Sequence, residues 1–175
     1  ASRVVDGFDT RPGAVSRCEG PAGLTVLVGE IEDSADLARS LSLPADAAPA
    51  AIAQAALAAH GHQLPARMIG EYSCLHAAPD GAVTLVQSAA LRDPLHYAVG
   101  RGCLAVSSAA LALARLPWVG RELDPVGFAA WMGRARTRPL RDNRTILRRV
   151  CEVLPGETVH IAPDGRIARA AADLF

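Results

Sequence analysis

The sequence has no lysine: all 18 basic residues are arginine, set against 18 acidic ones, so the formal net charge is zero. A chain so balanced sets up no overall field for nucleic acid or for an anionic membrane surface. Read with the abundance of alanine, the missing lysine reflects genome composition rather than chemistry. Aromatic residues make up only 4%, too few to stack successive bases, which argues against a single-strand nucleic-acid role. No apolar run reaches the roughly 18 residues of a membrane span, and no segment reads as a signal peptide. There is no C-x-x-C pair: Cys18, Cys74, Cys103 and Cys151 lie far apart, without the short spacings from which zinc sites are built. His60 and His62 stand at i, i+2, not the i, i+3 or i+4 of a helical metal pair, and are read as helix C-cap contacts; no metal centre is expected. The four thiols are expected to be reduced and structural, with Cys74 and Cys103 acting as small hydrophobes in apolar runs. That points to a cytoplasmic protein. Neither G-x-G-x-x-G nor G-x-x-x-x-G-K-[ST] occurs, so no cofactor is expected in this domain.

What is present suits one domain over residues 1–175. The chain is 50% hydrophobic and 21% charged, enough to bury a core without disulfides or metal. Its charge is uneven. Residues 1–100 hold 6 Arg and 11 Asp/Glu, whereas residues 101–175 hold 12 Arg and 7 Asp/Glu, a polarity that hints at a docking face. Leu24 to Ile31 reads as a buried strand, Ser34 as the cap of a short helix through Leu41, and Pro49 to His60 as an alanine-rich helix. Two strands, Met68 to Ala77 and Ala82 to Ser88, flank a Pro79-Asp80-Gly81 turn. Leu95 to Val99 and Cys103 to Ser107 form a second hairpin. Ala109 to Leu116 reads as helix, and Asp124 caps another that runs to Met132. Thr158 to Ile161 and Arg166 to Ala170 repeat the Pro-Asp-Gly device at Pro163-Asp164-Gly165. Strand pairs in runs with helices between them predict an α+β fold of mainly antiparallel sheets, in two layers, rather than a doubly wound nucleotide fold.

Four phrases in order carry a family resemblance. Val28-Gly29-Glu30-Ile31 resembles the N-G-E-I strand of class II glutamine amidotransferase domains, which a leucine-rich helix follows. Leu64 to Tyr97 (LPARMIGEYSCLHAAPDGAVTLVQSAALRDPLHY) resembles a stretch that runs L-x-G-x-F-A, turn, strand and R-D-x-x-G-x-x-P-L-Y-Y. Leu104 to Leu113 resembles the strand and helix F-A-S-E-x-x-A-L, and Asn143 to Ile161 resembles the closing T-I-x-x-x-V-x-x-L-P-P-G. Together they span residues 24–161 and resemble the asparagine synthetase group, which includes β-lactam synthetases and lasso-peptide cyclases. The resemblance implies an αββα sandwich of N-terminal-nucleophile type. It also implies a partner: a C-terminal synthetase domain that uses ATP and Mg and carries an S-G-G-x-D-S loop, which this sequence lacks.

The departures from the family bear on function. A working glutaminase of this kind uses an amino-terminal cysteine as nucleophile, with its own amine as base; position 1 here is alanine. The oxyanion asparagine falls on Val28, which has no side-chain donor, although Gly29 keeps a backbone N–H. The S-D-x-E phrase that grips the substrate ammonium falls on Ala48-Pro49-Ala50-Ala51. Val28, Gly29 and Glu30 therefore form a vestigial glutamine pocket, and no catalytic residue is expected. β-Lactam synthetases and lasso cyclases show the same pattern of loss, because an internal amine attacks the adenylated carboxylate and no ammonia is needed.

Other residues receive plainer readings. Glu30 sits in a predicted buried strand, so an inward carboxylate there is expected to find an arginine from elsewhere in the fold. Asp93, beside Arg92, reads as a turn residue, and His76, His96 and His160 as packed or half-exposed strand residues. Arg134, Arg136, Arg138, Arg141 and Arg144 belong to a segment, 134–149, with seven arginines opposed only by Asp142. It is a candidate contact for an acidic peptide substrate or for the synthetase domain. The leading reading is a non-hydrolytic glutaminase-like domain, structural or cavity-shaping, of a lasso-peptide cyclase (macrolactam synthetase) or β-lactam synthetase. The alternatives are a freestanding peptide- or protein-binding module, and an active amidotransferase whose amino-terminal cysteine is absent from this sequence. The first family strand is expected to be missing or replaced by Arg3 to Phe8. The resulting bare edge would make a homodimer plausible.

Overall fold

The computed structural model describes residues 15–90, 94–133 and 143–173. Among these residues nine strands form two sheets. The larger contains β1 (Val15–Gly20), β2 (Gly23–Ile31), β3 (Gly70–Ala77), β4 (Val83–Gln87), β8 (Glu157–Ile161) and β9 (Ile167–Ala171), in that order and antiparallel throughout. The smaller has the order β6 (Cys103–Ser107), β5 (Leu95–Gly100), β7 (Cys151–Val153), also antiparallel. The helices are α1 (Ser34–Ser40), α2 (Pro49–His60), α3 (Leu64–Arg67), α4 (Ala110–Leu113) and α5 (Pro125–Gly133).

Side-chain alternation along each strand sorts the core into three slabs. Leu27, Cys74 and Val86 point to the helix side of the large sheet and pack with Ala50, Ala53 and Ala56 of α2 and with Leu64 and Met68. The residues next to them along β3 and β4, Leu75 and Leu85, point the other way with Val159 and Ile161 of β8, and meet Tyr97, Val99, Leu104 and Val153 of the small sheet. The outer face of that sheet, through Ala98 and Ala105, packs on Leu113, Ala114, Val119, Leu147 and Val150. Helix, sheet, sheet, helix is the αββα order the resemblance implied, and the mainly antiparallel α+β reading stands with it. The two Pro-Asp-Gly turns are built alike. Asp80 Oδ1 accepts from the Ala82 N–H at 2.9 Å, and Asp164 Oδ1 from the Arg166 N–H at 3.0 Å. Asp124 caps α5 as expected, its Oδ1 accepting from the Val126 N–H at 2.9 Å.

Several expectations need correction. The first described strand is β1, at Val15–Gly20; it covers β2, so the large sheet does have a strand there, while Arg3 to Phe8 lie outside the described residues. Its sequence, VSRCEG, has no apolar alternation because most of its residues are exposed at a sheet edge. Ser34 is not a cap: Asp33 holds that place in a left-handed conformation (φ 49°) and makes no side-chain capping bond. α4 is only Ala110–Leu113, continued by turns rather than helix. Cys103 is exposed rather than a core hydrophobe, whereas Cys74 is buried; no disulfide joins any of the four cysteines. No helix among the described residues is long and apolar enough to cross a membrane.

Candidate functional site

The residues aligned with the glutamine pocket lie where β2 ends. Gly29 (φ +110°), opposite Tyr72, and Gly70 (φ +147°), opposite Ile31, lie two steps apart on the β2–β3 ladder, on either side of the Glu30–Glu71 pair. A Cβ on Gly29 would collide with the Glu71 carbonyl oxygen, and one on Gly70 with that of Glu30. Only glycine combines these positive φ values with so close a strand approach.

Val28 is 42% exposed and stands opposite Ser73, on the face that looks towards the small sheet. The Ser73 hydroxyl donates to Gln87 Oε1 at 2.8 Å, and Gln87, 1% exposed, returns its amide to the Tyr72 carbonyl at 3.3 Å. Val28 itself contributes no donor. Glu30 does not turn inward: its side chain is exposed, directly opposite the equally exposed Glu71, and no described arginine is bonded to it. The alternation of β2 explains this, because only Thr25 and Leu27 of the strand are fully buried. Like charges directly opposite on a ladder oppose pairing, so this end of the β2–β3 pair is locally weak.

The segment aligned with the ammonium grip, Ala48-Pro49-Ala50-Ala51, forms the first turn of α2. Ala50 is fully buried, and its N–H donates to Ser16 Oγ of β1 at 3.0 Å. No carboxylate is present there, and the buried Cβ of Ala50 sits in the helix–sheet core.

Among the described residues a part-buried ion pair lies elsewhere. Arg169 Nη2 is 2.8 Å from Glu157 Oε1, and Leu154 N–H donates to Glu157 Oε2 at 2.8 Å. Both side chains face the space between the sheets, near Tyr97, whose phenol is pushed up to about 12, mainly by burial and secondarily by Cys151. Asn143 Nδ2 donates to the Tyr97 hydroxyl at 3.4 Å. Sequence reading missed this cluster. Its only signal is a glutamate and an arginine twelve residues apart in strands that a hairpin joins, and that spacing becomes a contact only once the hairpin register is known.

Of the arginine segment, Arg134, Arg136, Arg138 and Arg141 lie outside the described residues, as do Arg92 and Asp93. Arg144 is exposed, and its backbone bridges to Cys151. The last two arginines are engaged within the domain. Arg148 pairs with Glu122 at 2.6 Å, and Arg149 donates to the Trp118 carbonyl at 2.9 Å. With Arg101 they rim a groove of about 1020 Å³ between the Gly100–Gly102 and Pro163–Gly165 turns, at the end of the sandwich opposite Val28. His96 is 8% exposed and its Nδ1 finds no partner among the described residues; burial, the largest influence, lowers its pKa against the raising effect of Glu152. His76 is half-buried, whereas His160 is exposed. The C-cap of α2 is Gly61, whose N–H donates to the Leu57 carbonyl, with His60 in the last helical turn and His62 just beyond. Among the described residues no group of three or more His, Cys, Asp or Glu is placed to hold a metal ion.

Comparison with solved structures finds the same architecture in the glutamine phosphoribosylpyrophosphate amidotransferase of B. subtilis, complexed with ADP and GMP. All of the present chain aligns, with a TM-score of 0.52 and 15% identity, over 34% of that chain. The chain thus spans about a third of the length of the protein it matches. The fold is the N-terminal-nucleophile type of glutamine amidotransferase, and at this identity the likeness speaks for the fold alone. No protein-family model matches the sequence, and no curated protein matches it.

Proposed function

We propose that this chain is a class II glutamine amidotransferase-like domain that no longer hydrolyses glutamine and instead serves an ATP-dependent, amide-forming ligase as a structural and cavity-shaping part. The observation that carries the reading is the first turn of α2. Where the S-D-x-E phrase would place its two carboxylates stand Pro49, exposed, and Ala51, half-buried, and neither has an acidic side chain. Val28 adds to this, since it offers a developing oxyanion no side-chain dipole.

Within that class the four sequence phrases favour the asparagine synthetase group, and the loss of the glutaminase residues favours a lasso-peptide cyclase or a β-lactam synthetase, in which the attacking amine belongs to the substrate. The adenylating chemistry, with ATP and Mg, would then belong to a synthetase domain acting as partner. A surface suited to protein contact is present. α5 buries only Gly127, while Val126 (55%), Phe128 (44%), Trp131 (54%) and Met132 (59%) stand exposed. Apolar side chains concentrated on one helix in this way mark contact surfaces more often than chance exposure. The β1 edge offers a second such surface, through which a homodimer would add strands.

Two measurements test the proposal. Purified protein incubated with millimolar glutamine should release no glutamate above the buffer rate and give no binding heat. The complete ligase should form its amide with ATP at a rate unchanged by glutamine or by a glutamine-directed alkylating inhibitor. Glutamate release, or amide formation that requires glutamine, would refute it.

A further inference from the structure

On the helix side of the large sheet a polar row crosses an otherwise apolar surface. Thr25, His76, Thr84 and His160 stand directly opposite one another on β2, β3, β4 and β8. The adjacent row, Leu27, Cys74 and Val86, is core. Within the polar row the bonds come in pairs: Thr25 Oγ1 lies 2.9 Å from His76 Nδ1, and Thr84 Oγ1 lies 3.2 Å from His160 Nδ1. Gln54 of α2 donates through Nε2 to Thr25 Oγ1 at 3.0 Å. Thr25 is fully buried, so its own proton has His76 Nδ1 as its acceptor. That leaves the proton of the neutral ring on Nε2.

α2 lies over β1 and β2, and the row runs out from beneath it into a cavity of about 350 Å³. Leu57, Ala58 and Ala22 wall the cavity, and His76, Thr84 and His160 lie along its floor. The described residues that line it include no Asp, Glu, Lys or Arg. A ligand therefore meets the His76 Nε2–H, set by Thr25, and the His160 ring, bonded to Thr84, with no carboxylate among the described lining residues, beside an aliphatic wall. Small-molecule sites have this composition, and the volume lies at the lower end of their range.

We infer that this cavity binds a small monocarboxylate with an aliphatic body. The carboxylate accepts from His76 Nε2–H and from the His160 ring, and the aliphatic body lies against Leu57 and Ala58. A carboxylate fits better than a neutral carbonyl because an ionised acceptor roughly doubles the strength of such a bond. The inference does not rest on the ligase reading, since the cavity is on the opposite face of the sheet from Val28.

The test uses isovalerate as probe on the ¹⁵N-labelled protein. Long-range ¹H–¹⁵N spectra of the free protein should show His76 as the Nε2–H tautomer. On titration the His76 and His160 ring signals should move together and saturate with a Kd on the order of millimolar, as befits so small a ligand. His76→Phe removes the donor and Leu57→Trp fills the cavity while sparing the row. Each should weaken binding at least about tenfold with the backbone amide spectrum otherwise retained. Isovaleramide should bind more weakly than isovalerate. An Nδ1–H tautomer at His76, no saturation by about 50 mM, or undiminished binding in both folded variants would overturn the inference.

Discussion

Arg169 on β9 holds both oxygens of Glu157 on β8, with Nη2 2.8 Å from Oε1 and 2.9 Å from Oε2. The carboxylate is 10% exposed and the guanidinium 30%, so the pair closes the space between the sheets while the arginine keeps some water. Arg169→Met strands the carboxylate and should cost about 3 kcal/mol, the lower end for breaking a buried pair. Glu157→Gln retains an acceptor for the Leu154 N–H. The double variant should therefore lose less than the sum of the singles when urea midpoints are compared. Additive losses would mean that the pair is not coupled.

Gly29 tests the β2–β3 approach. Gly29→Ala meets both a positive φ and the Glu71 carbonyl, and should cost more than about 3 kcal/mol or prevent folding. Gly102→Ala, at φ +68° with open space around it, meets only the backbone penalty, about 1 kcal/mol. Thermal melts of the two variants should separate steric collision from conformational preference. Equal, small losses would place the strands farther apart than described.

Tyr72 is 2% exposed, and its hydroxyl finds no partner among the described residues. Burial, with Cys74 adding to it, raises its pKa. An orphan hydroxyl in an apolar core is a net cost, so Tyr72→Phe should be neutral or stabilising by up to about 1 kcal/mol. A loss of similar size in urea unfolding would reveal a hidden partner.

His96 is the acid-sensitive point of the small sheet. Its pKa is lowered by burial, so the native state binds fewer protons than the unfolded chain. Stability from this source is complete above the unfolded histidine value, near 6.5. It declines as pH falls below that value towards the lower folded one. His76, also lowered by burial, adds in the same direction. Between pH 7.5 and 5 the urea midpoint should fall, and His96→Phe should flatten the slope. An unchanged slope would remove His96 as its cause.

Much of the fold follows from local rules that act within a few residues. The two Pro-Asp-Gly turns, the alanine-rich α2 and the Asp124 cap need only their own side chains and backbone, so the sequence determines them alone. β1 and β7 escaped notice because an exposed edge strand has no apolar alternation to display, and a strand of three residues is too short to show a period. The orientation of Glu30, the pairing of Glu157 with Arg169 and the Thr–His row were decided by tertiary structure. Each depends on strand register, where a shift of one residue turns every side chain to the other face, and register is set by contacts between strands far apart in the chain. Composition and motif order thus determined the class of fold, whereas the sheet pairings decided which polar groups share a face and which are left without a partner.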